Sequence, residues 1–415
     1  MKQTMNNIGQ SVKWIMIAGV LGLMPGIASQ AAAKPLEVYI LAGQSNMQGH
    51  VNVSTFDSMA GDPKTAPILK EMRGADGKPR VCQQVWISSI GCAGDDTTEQ
   101  KGKVTTGCGA SPAEIGPEFT FGIFMEKALN EPILLIKTSW GGKDLHTAFR
   151  SPGAGPYVWS DFELARRKER GDDMAKERAD KIKATGVYYR LMLDHVRKVL
   201  ADLKRVVPEY DPKQGYELAG FVWFQGFNDL VSDWTYDKGN QPGGYDLYSE
   251  LLCHFIRDVR KDLSVPKMPF VIGVMGIGGV KEDAKPGTMR HLRMAMAAPA
   301  ALPEFKGNVV AVQTAPYWDD DLETLRTRLE ALWPKVDAMA AEEVKKNPKM
   351  TGEEFEAFKL KAQAEHFAPD EWKRLQAGAS NGGYHYLGAA KIIAPIGKAF
   401  SEAMVKLQKT ERKYP

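Results

Sequence analysis

The stretch LEVYILAGQSNM, residues 36–47, decides the fold. Residues 36–42 are apolar at nearly every position and show no polar alternation, as a strand covered on both faces requires. Gly43 and small polar residues then end the run. Four further runs of the same kind follow at 133–138, 218–225, 270–275 and 308–313. Between them the apolar residues return with a helical period, over 119–129, 187–207 and 245–263, and an amphipathic stretch at 387–407 closes the chain. Strands alternating with helices on this scale predict an α/β fold, a five-stranded parallel sheet between two helical layers. Ligands bind such sheets outside the carboxyl ends of the strands. The residues just after each strand are therefore the ones to read for chemistry.

Working outward, the 415 residues are 43% hydrophobic and 25% charged, which fits a globular protein and excludes collagen-like or disordered classes. A net charge of +3 gives no electrostatic reason to expect nucleic acid or an anionic membrane as partner. Residues 1–33 read as a signal peptide: Lys2 and Lys13, an apolar run at 14–24, Pro25, and Ala31, Ala32 and Ala33 before Lys34. Cleavage near Ala33 leaves 34–415 as the mature chain, secreted or periplasmic. No stretch of about 20 apolar residues remains to span a membrane. Three segments exceed what the scaffold needs. The Gly-rich 51–117 suggests a loop or small β excursion, 161–183 an exposed charged helix, and 319–375 a helical insertion.

Cys82, Cys92, Cys108 and Cys253 can pair in three ways. Cys92 and Cys108 bracket a polar Gly/Thr/Lys stretch, and theirs is the disulfide favoured in an oxidising compartment. Cys253, inside a helical period, reads as a buried thiol. No Cys-x-x-Cys or His-x-x-x-His spacing supports a metal site.

After the first strand come Gly43, Gln44, Ser45, Asn46 and Met47. A serine between strand and helix exposes its hydroxyl at the sheet edge, so Ser45 reads as a nucleophile, with a helix N-cap as the plain alternative. Gly141 and Gly142 follow the second strand and can point a backbone N–H into the crevice. After the third strand, Gln225, Gly226, Phe227, Asn228 and Asp229 place a side-chain amide there, or an Asx-turn. Near the C-terminus His385 lies on a Gly-rich loop, 380–388, where it can act as a base. His195, His254 and His291 fall in helical periods and read as packing or surface residues, whereas His50, His146 and His366 are harder to dismiss. Trp140, Trp159, Trp223, Phe227 and Trp234 could stack on a ligand ring.

These blocks, Gly-Gln-Ser45-Asn-Met, Gly226-x-Asn228-Asp229 and His385 before the last helix, resemble those of the SGNH (GDSL-like) hydrolases. More narrowly they are similar to sialate O-acetylesterase-like and acetylxylan-esterase-like carbohydrate esterases. The resemblance covers 34–313 and the end of the chain from 377. It implies a flavodoxin-like three-layer α/β/α sandwich and Ser-His acyl transfer without metal or organic cofactor. By it Ser45 is the nucleophile, His385 its base, and the oxyanion hole is the N–H of Ser45, that of Gly142 or Gly141, and Asn228, with Gln44, Gln225, Asp229 and Asn381 as possible supports. The expected partner is an acetylated carbohydrate.

One position departs from the pattern. The family's aspartate three residues before the histidine is Gly382 here, with Asn381 one residue further back. A backbone carbonyl of the 380–383 loop, Asp229, or the cluster Asp319, Asp320 and Asp321 could orient the imidazole instead. The departure also motivates a rival expectation, a member that binds carbohydrate without turning it over. A glycosidase built on the Asp319–Asp321 carboxylates is a third.

Overall fold

The computed structural model describes residues 34–284 and 286–411, so the signal-peptide expectation lies outside the described residues. Among the described residues nine strands form: β1 (Leu36–Gly43), β2 (Val51–Asn52), β3 (Val85–Ile90), β4 (Glu99–Lys103), β5 (Glu114–Ile115), β6 (Ile133–Ser139), β7 (Tyr216–Phe224), β8 (Phe270–Val274) and β9 (Val309–Gln313). The main sheet has seven strands in the order β4-β3-β6-β1-β7-β8-β9, and β2 pairs with β5 in a small second sheet. All neighbours in the main sheet are parallel except β4, which runs antiparallel to β3.

The five strands read from the sequence are β1, β6, β7, β8 and β9, and they stand in the order of a flavodoxin-like sheet. Two more come from the 51–117 segment. β3 is wholly buried but carries Ser88 and Ser89, which interrupt its apolar run, and β4 is a polar edge strand with lysines, the kind that discourages edge pairing. The β3–β4 ladder closes the loop at 91–98 by backbone hydrogen bonds, and the favoured Cys92–Cys108 disulfide is absent. All four cysteines are free thiols, and Cys92 Sγ instead meets Ser139 Oγ at 3.6 Å.

Both faces of the sheet are covered. Along β1, Val38, Ile40 and Ala42 enter one hydrophobic core and Tyr39 and Leu41 the other, the two-sided burial expected of a central parallel strand. α6 (Val187–Ala201), α8 (Asp246–Asp262) and α9 (Thr288–Ala297) fill the first core. α3 (Pro117–Leu129) and α13 (Ala390–Glu411) fill the second. The short α1 (Ser45–Gln48), α2 (Ala66–Met72) and α7 (Phe227–Leu230) sit in connections. The charged stretch at 161–183 is two helices, α4 (Asp161–Arg170) and α5 (Met174–Ala184), because Gly171 takes a left-handed conformation (φ 74°) that ends the first. The region at 319–375 forms α10 (Asp320–Lys346), α11 (Gly352–Ala364) and α12 (Pro369–Gly378).

Candidate active site

The order of the sheet reverses direction at β1, whose neighbours are β6 on one side and β7 on the other. Gly43 is level with Ser139 in β6 and with Phe224 in β7, so residues 44–45, 140–142 and 225–228 leave the sheet side by side. A side chain at 43 would put its Cβ 2.1 Å from the Phe224 carbonyl oxygen, which is why the strand must end in glycine. Such a switch point is where an open α/β sheet forms its crevice.

Ser45 is the first residue of α1, and the N-cap position belongs to Gln44. The plain alternative, Ser45 as a cap, is therefore not what the structure builds. Its hydroxyl makes no side-chain hydrogen bond among the described residues, to His385 or to any other group. Beneath it the fully buried Lys137 donates to the carbonyls of Gln48 (2.7 Å) and Cys108 (2.7 Å) and to Glu118 Oε2 (2.8 Å). Burial alone would lower the pKa of that ammonium, but the neighbouring thiols and Glu118 outweigh it and hold the pKa above its ordinary value. Lys137 thus pins the end of α1 to β6. Sequence reading passed over it, although a lysine inside a strand buried on both faces was the available signal.

Gln44 is fully buried and fixes the amide of Asn228. Its Oε1 accepts from the backbone N–H of Gly226 (3.0 Å) and of Asn228 (3.2 Å), groups that can only donate. Its Nε2 must therefore face Asn228, where it donates to Oδ1 at 2.8 Å. The Asn228 NH2 is left with no protein partner among the described residues, a free donor beside the exits of β1 and β7. Gly141 and Gly142 are exposed on the β6 side, and Gly142 holds φ 74°, which favours glycine.

His385 comes to the same edge in the turn at Gly383–Gly388, which packs against α1. The turn is strained: Tyr386 (φ 53°) and Leu387 (φ 61°) are both left-handed, which costs non-glycine residues roughly 1–3 kcal/mol each. It is held by the buried Tyr386 hydroxyl, which accepts from Gly276 N (2.8 Å) and bonds Thr314 Oγ1 (2.8 Å), and by Leu387 O, which accepts from the N–H of Ser380 and of Asn381 (both 3.0 Å). Asn381 Oδ1 accepts from Gly382 N at 2.8 Å, which identifies it as the oxygen, and the same atom lies 3.2 Å from His385 Nδ1. Nδ1 must then carry the proton, and Nε2 is left as the acceptor. The His50 ring stacks on His385 with centroids 3.9 Å apart and planes 4° from parallel. Burial, and secondly the His50 ring, push the pKa of His385 down to about 4.

The other proposed partners of His385 are engaged elsewhere. Asp229 is wholly buried and accepts from Leu145 N (2.8 Å), Gln225 Nε2 (2.6 Å), the Tyr236 hydroxyl (2.9 Å) and the His146 ring (Nδ1, 3.1 Å). Burial works against both charges of this pair, yet the mutual contact lowers the carboxyl pKa and raises that of the imidazole. Asp319 caps α10 and pairs with Lys391, Asp320 with Lys281, and Asp321 with Arg374. The orienting group is thus a side-chain amide, neither a carboxylate nor a backbone carbonyl. Among the aromatic residues, Trp140 and Trp223 are core side chains, while Trp159, Phe227 and Trp234 are half-buried. Among the described residues no cluster of His, Cys, Asp and Glu could hold a metal ion.

A hydroxyl, an imidazole and a free amide donor come to the switch point of a three-layer α/β/α sheet, an arrangement chemically suited to acyl transfer. Residues 35–322 match the family model described as carbohydrate esterase, sialic acid-specific acetylesterase, and the chain belongs to that family. Among solved structures the chain is similar to a protein from Arabidopsis thaliana, at 18% identity over 68% of this chain and 86% of that one, with a TM-score of 0.36. It is also similar to a carbohydrate acetylesterase from Xanthomonas citri, at 14% identity over 68% of this chain and 51% of that one, with a TM-score of 0.38. No curated protein matches.

Proposed function

We propose that the protein is an exported serine esterase that removes O-acetyl groups from carbohydrates, with Ser45 as nucleophile and His385 as base. The observation that carries this reading is the forced orientation of Asn228, whose NH2 is left without a protein partner among the described residues by the buried Gln44. The Ser45 Oγ attacks the acetyl carbonyl and its proton passes to His385 Nε2, the ring atom that the Asn381 contact leaves unprotonated. The developing oxyanion is met by the Asn228 NH2, the Ser45 N–H and the N–H of Gly141 or Gly142. His385 returns the proton to the departing sugar alkoxide. Water then repeats the sequence on the acyl-enzyme. The serine and imidazole are not hydrogen-bonded without substrate, and such contacts tighten when the reacting complex forms. Export is supported by the leader-like pattern of residues 1–33, and N-terminal sequencing of the protein recovered from cells should find Lys34 near its start.

Hydrolysis of p-nitrophenyl acetate tests the mechanism. Ser45→Ala should lower kcat by roughly four orders of magnitude or more. Activity that survives the substitution would remove Ser45 from the reaction. The absence of a carboxylate on His385 favours one rival, a carbohydrate-binding protein without turnover, and wild-type protein as inert as Ser45→Ala would decide for it.

A further inference from the structure

The turn that carries His385 also carries Tyr384, a residue the proposed mechanism leaves without a task. Tyr386, two places on, is wholly buried, whereas Tyr384 is 50% exposed. Exposure alone would mean little, but the place of the ring gives it weight. Its centroid lies 4.5 Å from that of His385, with the planes at 65°, and 6.1 Å from that of Phe227. Phe227 precedes Asn228 in α7 and packs against the first hydrophobic core. The two aromatic rings thus form one wall that runs from the amide donor to the base. The backbone sets this wall in place. Gly382 O accepts from the N–H of His385 and of Leu387 (both 3.0 Å), which closes the turn around residue 384. A Cβ at 382 would lie 2.6 Å from Tyr384 Cε1 and 3.1 Å from its Cζ. The backbone at 382 is extended (φ −76°, ψ 167°), a conformation open to any residue, so the glycine serves to make room for the ring. The position that lacks the aspartate is thus one the Tyr384 ring closes over.

Proton transfer decides which part of a substrate meets the wall. The tetrahedral intermediate carries the Ser45 oxygen, the oxyanion, the departing alcohol oxygen and the methyl group. The oxyanion is taken by the Asn228 NH2 and the backbone donors. The departing oxygen must come within hydrogen-bond reach of His385 Nε2, about 2.6–3.2 Å, to receive its proton. The alcohol therefore lies on the side of the base, against the ring that touches it, and the methyl group points elsewhere. A half-exposed phenol ring gives the C–H face of a ring-shaped alcohol a flat partner, which a short-chain alcohol cannot cover.

We infer that Tyr384 is a specificity-determining residue of the proposed reaction, a platform for the pyranose ring of the departing alcohol that makes no contact with the acyl group. The inference rests on the proposed esterase reading. Its test uses two acetates that share the acyl group and differ in the alcohol, per-O-acetylated methyl xyloside and ethyl acetate. Tyr384→Ala should lower the ratio of their kcat/KM values, xyloside over ethyl acetate, by about three- to tenfold. Tyr384→Phe should keep the ratio, because the ring face and not the hydroxyl makes the contact. Gly382→Ala, which retains the tyrosine but denies its ring this place, should lower the ratio in the same sense. The ratio for p-nitrophenyl butyrate over p-nitrophenyl acetate, which share the alcohol, should stay within about twofold of wild type in each variant. A xyloside ratio that Tyr384→Ala or Gly382→Ala leaves unmoved overturns the platform. A butyrate ratio that shifts with Tyr384→Ala overturns it too, by placing the ring on the acyl side. Wild-type protein inert on every ester would instead fail the esterase reading itself, and this inference with it.

Discussion

The substitution of an amide for a carboxylate beside His385 has a measurable signature. With Asn381 as partner and a pKa near 4, the imidazole is already neutral at pH 5 and available as a base. The acid limb of kcat/KM should therefore fall near pH 4, well below the 6 to 7 of an unperturbed histidine. Asn381→Asp places a negative charge on Nδ1–H, which favours the imidazolium and should raise the limb by about 1–3 pH units. A limb that stays in place would mean that His385 is not the titrating base. Gln44 offers a second test at this scale. Gln44→Glu keeps an acceptor for Gly226 N and Asn228 N but sets an oxygen against Asn228 Oδ1. The asparagine amide should then turn over and present its oxygen to the crevice, lowering kcat by about 10²–10³-fold with KM little changed. A kcat within a few-fold of wild type would show that the Asn228 donor is not used.

Among the elements, the connection after β6 depends on the ion pair that joins it to α7. Asp229, buried within α7, holds the backbone of Leu145 and the ring of His146. Asp229→Asn leaves the imidazolium with Asp144 alone as a carboxylate partner, at 3.4 Å from Nε2, and strips a wholly buried acceptor from Leu145 N, Gln225 and Tyr236, so it should cost about 3 kcal/mol in urea unfolding. The pH dependence follows from the two directions. The depressed Asp229 contributes stability above the ordinary carboxylate pKa, and loses it as pH falls through its lower folded value. The elevated His146 contributes below the ordinary histidine pKa, and loses it as pH rises through its higher folded value. The stability difference between wild type and Asp229→Asn should thus be greatest from about pH 4 to 6.5 and shrink on either side. A difference that does not vary with pH would show that the pair is uncharged. Elements of this kind also mark how far the sequence could be read. β1, β6, β7, β8 and β9 are legible because strands buried on both faces leave continuous apolar runs. β3 and β4 are not, since serines interrupt one and the other is a polar edge. Ser45 and Asn228 stand out as candidates because they follow strands, where chemistry is sought, and His385 because it lies on a Gly-rich loop before the last helix. What orients them is set by contacts between residues far apart in the chain: Gln44 to Asn228, Lys137 to Gln48 and Glu118, and the stacking of His50 on His385.

Across the whole molecule, the helices at 319–375 raise the question whether they form an appendage or part of the sandwich. As an appendage they would carry their own core. Instead Leu322, Leu325 and Leu329 of α10 and Leu375 of α12 are buried in the same hydrophobic cluster as Tyr39, Leu41, Phe119 and Ile393. Ion pairs add to the seam, from Lys391 of α13 to Asp319 (3.1 Å) and from Lys281 to Asp320 (3.1 Å). Exposed pairs of this kind contribute little, so the apolar seam must hold the layer in place. The turn bearing His385 lies between α12 and α13 in the chain and packs against α10 and α13. Leu325→Ala should therefore cost about 2–5 kcal/mol, and should do so within one cooperative transition shared by far-UV and near-UV circular dichroism. If α10–α12 melted first, the substitution would move only an early far-UV phase, and the layer would be an appendage after all. One shared transition would tie the stability of these helices to that of the sheet edge from which Ser45 and His385 project.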